Sequence, residues 1–382
     1  MLCSGDVRAF GFAVVFLAAC SSSPMSGGGG GGAATGGGSA AGGGAATGGG
    51  AAAGGGASGG GAATGGGSAS GGGGGSTLDA GLPAGTYTRT PGNWPKRSYD
   101  LEVPGGYDGG AGYPLLLILH GGGGNRSAAK RLACPGGVVS SPDCLDAMAL
   151  TRGFVVVMPD GTGAALAPDV RTWNSGGGAN GWQCVSGAAC NQNVDEFGYF
   201  TDVFADLASV VPVDLSHVYS TGISNGASMS ERLACQFPSN VRAIAPVAGG
   251  NQYSTTQSCT SVTSVLEIHG TGDPCWPYDG GAVSCADTNP GAKISVDGTL
   301  AVWSANDGCD GGLTETPLPD TMADGTTTVH RVYACSGAAL ELYQVADGGH
   351  TWPNGYHYSQ MVGLTAEDWS ANPIILDFFQ AH

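Results

Sequence analysis

Five apolar runs, each closing on glycine or a polar turn, limit what this chain of 382 residues can fold into. They are "YPLLLILHGGGGN" (113–125), "GFVVVMPDG" (153–161), "VYSTG" (218–222), "VRAIAPVAGG" (241–250) and "SVLEIHGTGD" (264–273). Their apolarity is continuous rather than alternating, which is the mark of strands covered on both faces, as in a parallel sheet. Helical periodicity lies between them. Phe200, Val203, Phe204, Leu207 and Val211 share one face, and Met229, Leu233 and Phe237 recur at every fourth position until Pro238 stops the helix. Residues 295–308 and 372–382 are further helix candidates. Strands alternating with helices predict an α/β fold, a mainly parallel central sheet with helices on both faces. In such sheets chemistry collects at the carboxyl ends of the strands. "TTTVHRVYAC" followed by "ALELYQVADGGH" departs from the pattern and reads as a hairpin pair near the sheet edge.

The folded domain is expected over residues 82–382, because the sequence before it cannot bury a core. Residues 27–75 are almost wholly Gly, Ala, Ser and Thr. Gly recurs as in collagen, but the Pro that collagen needs is missing, so a disordered linker over 21–81 is expected, spanning about 40 Å. Residues 9–20 form an apolar run too short to cross a bilayer and read as an export signal, 1–20. The run ends in Leu17-Ala18-Ala19-Cys20, which resembles a bacterial lipoprotein lipobox and implies cleavage before Cys20 and lipid on its sulfur. An ordinary secretory signal is the alternative. The expected location is the cell envelope, anchored only through that lipid, or the exterior.

The formal net charge of −17 disfavours nucleic acid and polyanions as partners; a monomer is expected. Of 12 Cys, all but Cys3 and Cys20 lie in the domain. An even set in an exported chain argues for disulfides, and neighbour pairing gives 134–144, 184–190, 235–259, 275–285 and 309–335. The spacing lacks C-x-x-C pairs, so no metal site is expected.

Gly222-Ile223-Ser224-Asn225-Gly226 matches G-x-S-x-G. So does Gly56-Ala57-Ser58-Gly59-Gly60, but Ser58 sits in low-complexity sequence without a framework. Ser224 stands where a strand turns into a helix, the position that exposes a nucleophile above a sheet. A helix N-cap is the plainer reading of the same serine. A nucleophilic serine needs a base and an orienting carboxylate, which in α/β-hydrolase chain order follow as Asp or Glu, then His. Asp273 follows a strand and is held extended by Pro274; its competitor Asp279 reads as a turn residue. His350, on a loop after a strand and two glycines, is the candidate base. His330 falls inside a strand, His382 is terminal, and His357 is the rival. The oxyanion donors are expected to be the N–H groups of Asn225 and Gly122, with Gly123 as the alternative.

These segments together resemble the polyhydroxybutyrate depolymerase and feruloyl esterase family of exported α/β-hydrolase esterases, across most of residues 95–382. "TWNSGGG…NVDEFGYFTDVFADL" resembles the family segment before the nucleophile strand. The resemblance implies Ser224 as nucleophile, Asp273 as orienter, His350 as base and acid, and Gly122 with Asn225 as oxyanion donors. Where relatives often carry paired aspartates this chain has Asp195-Glu196, for which a structural, helix-capping role is expected.

The implied reaction is two-step ester hydrolysis needing no metal or organic cofactor. Trp276, Tyr278 and Trp352 are expected to touch substrate, with Tyr356, Tyr358, Trp173 and Trp182 near them. Polyester oligomers of hydroxyalkanoates and acylated plant polysaccharides both fit. A serine peptidase on the same triad and a non-catalytic binding lipoprotein are the alternatives. Matched ester and amide substrates separate the first, and a fluorophosphonate probe the second.

Overall fold

The computed structural model describes residues 81–106, 112–176, 189–190, 192–283, 292–357 and 360–382. All lie in one compact unit, Gly74–His382. Cys20, Ser58, the export signal and nearly all of the linker expected over 21–81 fall outside the described residues, as do Trp182, Cys184, Cys285 and Tyr358.

In chain order the unit runs β1 (Gly85–Arg89), β2 (Tyr99–Val103), β3 (Tyr113–Leu119), α1 (Arg126–Leu132), α2 (Leu145–Thr151), β4 (Val155–Pro159), the short pair β5 (Thr162–Gly163) and β6 (Arg171–Thr172), and α3 (Glu196–Ala208). Then follow β7 (Val213–Ile223), α4 (Asn225–Gln236), β8 (Val241–Val247), β9 (Ser264–Gly270), α5 (Val296–Asp307), β10 (Cys309–Pro317), β11 (Thr327–Cys335), β12 (Leu340–Ala346) and α6 (Ala371–Ala381). Ten strands form one sheet in the order β1-β2-β4-β3-β7-β8-β9-β12-β11-β10. The stretch from β4 to β12 is parallel throughout, and antiparallel strands close both edges. This is the α/β-hydrolase fold.

The continuous apolarity of the central strands follows from this layering. Leu115, Leu117 and Leu119 of β3 face a cluster with Phe200, Val203 and Leu207 of α3, Met229 and Leu233 of α4 and Trp303 of α5. Leu116 and Ile118 face the other way, against Leu145 and Ala149 of α2 and Ile375, Leu376 and Phe379 of α6. Successive side chains point to opposite faces of a strand, so every position of β3 needs an apolar residue. Truncating such a leucine to alanine costs about 2–5 kcal/mol.

Helix α3 begins earlier than its apolar periodicity suggests, because Asp195 caps it by accepting a hydrogen bond from Gly198 N at 2.9 Å. Glu196 is buried, paired with Arg97 at 2.7 Å and accepting from Asn174 N. The expected hairpin is present as β11 and β12, near the sheet edge: β12 runs parallel to β9, and only β10 lies outside β11. Strand β10 is exposed and polar, so no apolar run marks it. Disulfides join Cys134–Cys144, Cys235–Cys259 and Cys309–Cys335, as neighbour pairing predicts. Cys190 and Cys275 are also disulfide-bonded.

Candidate active site

Strand β7 ends at Ile223 and α4 begins at Asn225, leaving Ser224 alone between them at φ 61°, ψ −121°. A side chain other than glycine is strained there, and such strain gathers at functional positions. Ser224 is the N-cap of α4 by position, its carbonyl accepting from Ser228 N at 3.0 Å, but its side chain makes no capping hydrogen bond and is left to another role. Its backbone is pinned instead: Ser224 N donates to Val247 O at 2.9 Å. The flanking glycines are needed because α4 starts directly against the end of β3. A Cβ on Gly222 would stand 2.5 Å from Leu119 O, and one on Gly226 2.4 Å from the same oxygen. The side chain of Ser224 is partly exposed, whereas the rest of the first two turns of α4 is buried.

Asp273 lies just past β9, and its carboxylate is fully engaged. Oδ1 accepts from Cys275 N at 2.7 Å and Trp276 N at 2.8 Å. Oδ2 lies 2.7 Å from His350 Nδ1. Burial alone would push this carboxyl up. The charge of His350 and the hydrogen bonds from His269 and His350 outweigh that and hold it well below the usual carboxylate range. His350 is carried by the loop after β12, and its backbone is held by a parallel segment: His350 N donates to Val362 O at 2.6 Å and Gly349 N to Leu364 O at 2.8 Å. The approach is so close that a Cβ on Gly349 would meet Val362 O at 2.1 Å, which accounts for the glycine before the histidine.

The rival residues are elsewhere. Asp279 is exposed. His330 pairs with Glu341 at 2.7 Å, and the exposed His357 faces Glu367 at 3.5 Å. Asp273, Cys275 and His350 stand close enough together to suggest a metal site, but Cys275 is disulfide-bonded and offers no thiolate.

The loop after β3 separates the two oxyanion candidates. Gly123 N is committed to Arg171 O at 2.8 Å, and Gly124 N to Gly121 O at 3.0 Å. Among the described residues, the N–H groups of Gly122 and Asn225 have no acceptor. Two residues that the sequence reading did not single out for this loop hold it against α4. Trp173 N donates to Asn225 Oδ1 at 2.7 Å, Asn225 Nδ2 donates back to Trp173 O at 3.1 Å, and the Trp173 indole donates to His120 O at 3.0 Å. His120 stands directly before the glycine run, the one cue its sequence carries. Its Nε2 accepts from Gly161 N at 2.9 Å, which leaves Nδ1 to donate to Gly121 O at 2.8 Å.

Burial corrects the expectation that Trp276 and Trp352 face substrate. Trp276 is 2% exposed and donates to Ile294 O; Trp352 is 1% exposed and donates to Asn372 Oδ1. Both are framework beneath the site. Tyr278 is half-buried and packs on the α3–α5 side of the core. Trp173 is wholly buried. An aromatic after a catalytic-type residue in sequence thus points inward here, because the loops are short and anchor themselves through large rings. Of this group, Tyr356 keeps partial exposure, with Arg131 stacked 4.1 Å from its ring centre.

Over 297 residues the chain is 29% identical to a protein of Nocardia uniformis subsp. tsuyamanensis named as an esterase, NocK, covering 74% of this chain and 78% of that one. Over 255 residues it is 28% identical to a protein of Aspergillus niger named as a feruloyl esterase C, covering 66% and 76%. A solved acetyl xylan esterase from Aspergillus awamori superposes with a TM-score of 0.43 at 16% identity, over 70% of this chain and 94% of that chain. No protein-family model matches. By sequence the chain is similar to proteins named as esterases, feruloyl esterases among them.

Proposed function

We propose, on the premise of that similarity to esterases of the feruloyl esterase kind, that this chain is an exported serine hydrolase of carboxylic esters. The observation that carries the reading is the strained Ser224, with no side-chain capping bond, at the β7–α4 junction, on the same sheet end as the Asp273–His350 pair. His350 Nε2 takes the Ser224 hydroxyl proton as Oγ attacks the ester carbonyl. The tetrahedral oxyanion accepts hydrogen bonds from Gly122 N–H and Asn225 N–H. The C–O bond to the alcohol then breaks, and His350 returns the proton to the leaving alkoxide. Water, deprotonated by His350, attacks the acyl-enzyme, and the acid leaves as Ser224 recovers its proton. Asp273 stays ionised throughout and holds His350 with Nδ1 protonated.

The relatives named as feruloyl esterases favour feruloyl esters, and acylated plant polysaccharides and hydroxyalkanoate oligomers fit the same chemistry. A panel of methyl ferulate, acetylated xylan, hydroxybutyrate oligomers and short p-nitrophenyl esters ranks them. Loss of turnover in Ser224→Ala, with folding intact, is the expected result; unchanged turnover sinks the reading.

The disulfides suit an oxidising compartment. We extend the proposal to lipidation of Cys20 and to a flexible tether joining that anchor to the domain. Mass spectrometry of the mature N-terminus tests it; an unlipidated chain beginning elsewhere counts against it. Peptide mapping without reduction tests the remaining pairs, Cys184–Cys190 and Cys275–Cys285.

A further inference from the structure

A line of buried ionisable groups runs beneath Asp273, and the mechanism above does not use it. Glu267 and His269 sit two residues apart on β9 and so share a face of the strand. Both are wholly buried, and so is Glu231 on α4, seven residues beyond Ser224. His269 Nδ1 lies 3.0 Å from Glu267 Oε1. Its Nε2 lies 2.8 Å from the carbonyl oxygen of Trp276 and 3.5 Å from Asp273 Oδ2.

These contacts place one proton and leave two arrangements for a second. A carbonyl oxygen only accepts, so Nε2 of His269 carries a hydrogen. Nδ1 then either donates to an ionised Glu267 or accepts from a protonated one. Burial favours the neutral form of both acids. Glu231, which accepts from the Trp303 indole at 2.7 Å and feels the charge of Glu267, is raised well above the usual range. A neutral Glu231 leaves Glu267 as the single anion on that side of His269. Desolvation works against a charged His269, but the bonds and charges of Asp273 and Glu267 outweigh it and raise it to about 10. Burial raises Glu267 above the usual carboxylate range, while the bond and the charge of His269 pull it back toward the ionised form. Among the described residues the groups facing His269 are Glu267 on its own strand and Asp273 and Tyr278 from the loop that follows, with Glu231 of α4 beyond Glu267.

We propose that His269 is a positioning residue of the triad, a buried imidazolium held by Glu267 that clamps the Asp273–Trp276 turn and offsets part of the charge that Asp273 presents to His350. The clamp is geometric. Trp276 N donates to Asp273 Oδ1 while Trp276 O accepts from His269, so one peptide residue ties both side chains together. The offset is electrostatic. Asp273 Oδ2 faces His350 at 2.7 Å on one side and His269 at 3.5 Å on the other. Chemically the line reads neutral acid, carboxylate, imidazolium, carboxylate from Glu231 to Asp273, whose other side faces His350. The proposal rests on the reading of Ser224, Asp273 and His350 as a triad.

The test uses the full chain, with histidine labelled at 13Cε1 and followed by NMR across pH 5–10, so it needs no ester turnover. The His269 signal is identified by its loss in His269→Gln. It is expected to hold the imidazolium shift through neutral pH; a neutral imidazole at pH 7 overturns the proposal. In His269→Gln, which keeps a donor toward Trp276 O but no charge, His350 is expected to ionise about one pH unit higher, a shift of the size one uncompensated neighbour produces. The ascending limb of kcat/KM for p-nitrophenyl acetate should move with it. Glu267→Gln removes the counter-charge that keeps His269 protonated; a neutral His269 no longer offsets Asp273, so the limb should move the same way. A folded variant of either kind with an unmoved limb and an unmoved His350 signal overturns the proposal, because a merely structural role would change stability without changing ionisation. Fluorophosphonate labelling of Ser224 in the wild type, run in parallel, tests the triad reading separately.

Discussion

His120 Nδ1 donates to the carbonyl oxygen of Gly121 at 2.8 Å, and that carbonyl belongs to the peptide whose N–H is the free donor of Gly122. The bond from Gly161 N to Nε2 sets the tautomer. Burial pushes the ring down to about 4, so it stays neutral at working pH and the tautomer does not change. His120 thus orients one of the two proposed oxyanion donors without touching substrate. His120→Phe keeps the volume and removes the donor. Its kcat is expected to fall by about 10–10², less than the ~10²–10³ for losing an oxyanion donor outright, with KM little changed. Steady-state kinetics on a short ester check this, and an unaltered kcat in a folded variant refutes it.

Asp273 and Asp279 make opposite predictions. Asp273→Asn should reduce kcat by about 10⁴, since an amide at that point can donate to Nδ1 and favours the wrong tautomer of the base. Asp279→Asn, on an exposed turn, should leave kcat unchanged. The pair of measurements identifies the orienting carboxylate directly.

Gly226 is where the helix touches the strand. A Cβ there would stand 2.4 Å from Leu119 O and 2.6 Å from His120 O, both backbone atoms that cannot move aside alone. Gly226→Ala is expected to cost about 1–3 kcal/mol or more. Gly92 has nothing within 4 Å of its would-be Cβ, and Gly92→Ala should stay within about 0.5 kcal/mol of wild type. Urea unfolding of the two variants provides the comparison.

Asp307 gives the clearest pH dependence of stability. It is buried, Oδ1 accepts from Thr263 N at 3.1 Å, and Oδ2 has no partner among the described residues. Burial raises it from 3.8 to about 6. The native state therefore keeps a proton that the unfolded state has already lost, and the stability this contributes below pH 4 disappears as pH rises through 6. Asp307→Asn lacks that loss. Relative to wild type it should be more stable at pH 8 than at pH 4 by about 1–3 kcal/mol. Equal differences at the two pH values would show that the carboxyl ionises normally.

The fold class and the candidate triad were legible in sequence for one physical reason: both are written locally. A strand buried on two faces is apolar at most positions, so β3 and β4 announce themselves. A sharp strand-to-helix turn against a neighbouring strand excludes side chains at Gly222 and Gly226, so the G-x-S-x-G spacing around Ser224 carries the geometry with it. Asp273 and His350 are candidates from sequence because each follows a strand, and the 2.7 Å contact between them is what the fold adds. What tertiary structure alone decided depends on partners distant in the chain. Nothing in the sequence around Gly122 and Gly123 says which N–H is already spent; the bond from Gly123 to Arg171, 48 positions on, does. Nothing local marks Trp276 and Trp352 as framework rather than substrate surface, because burial is a property of the packing around a ring. The charges on Glu231, Glu267 and His269 are ordinary surface residue types until α4 and β9 close over them. Only the folded sheet removes the water and makes their order matter.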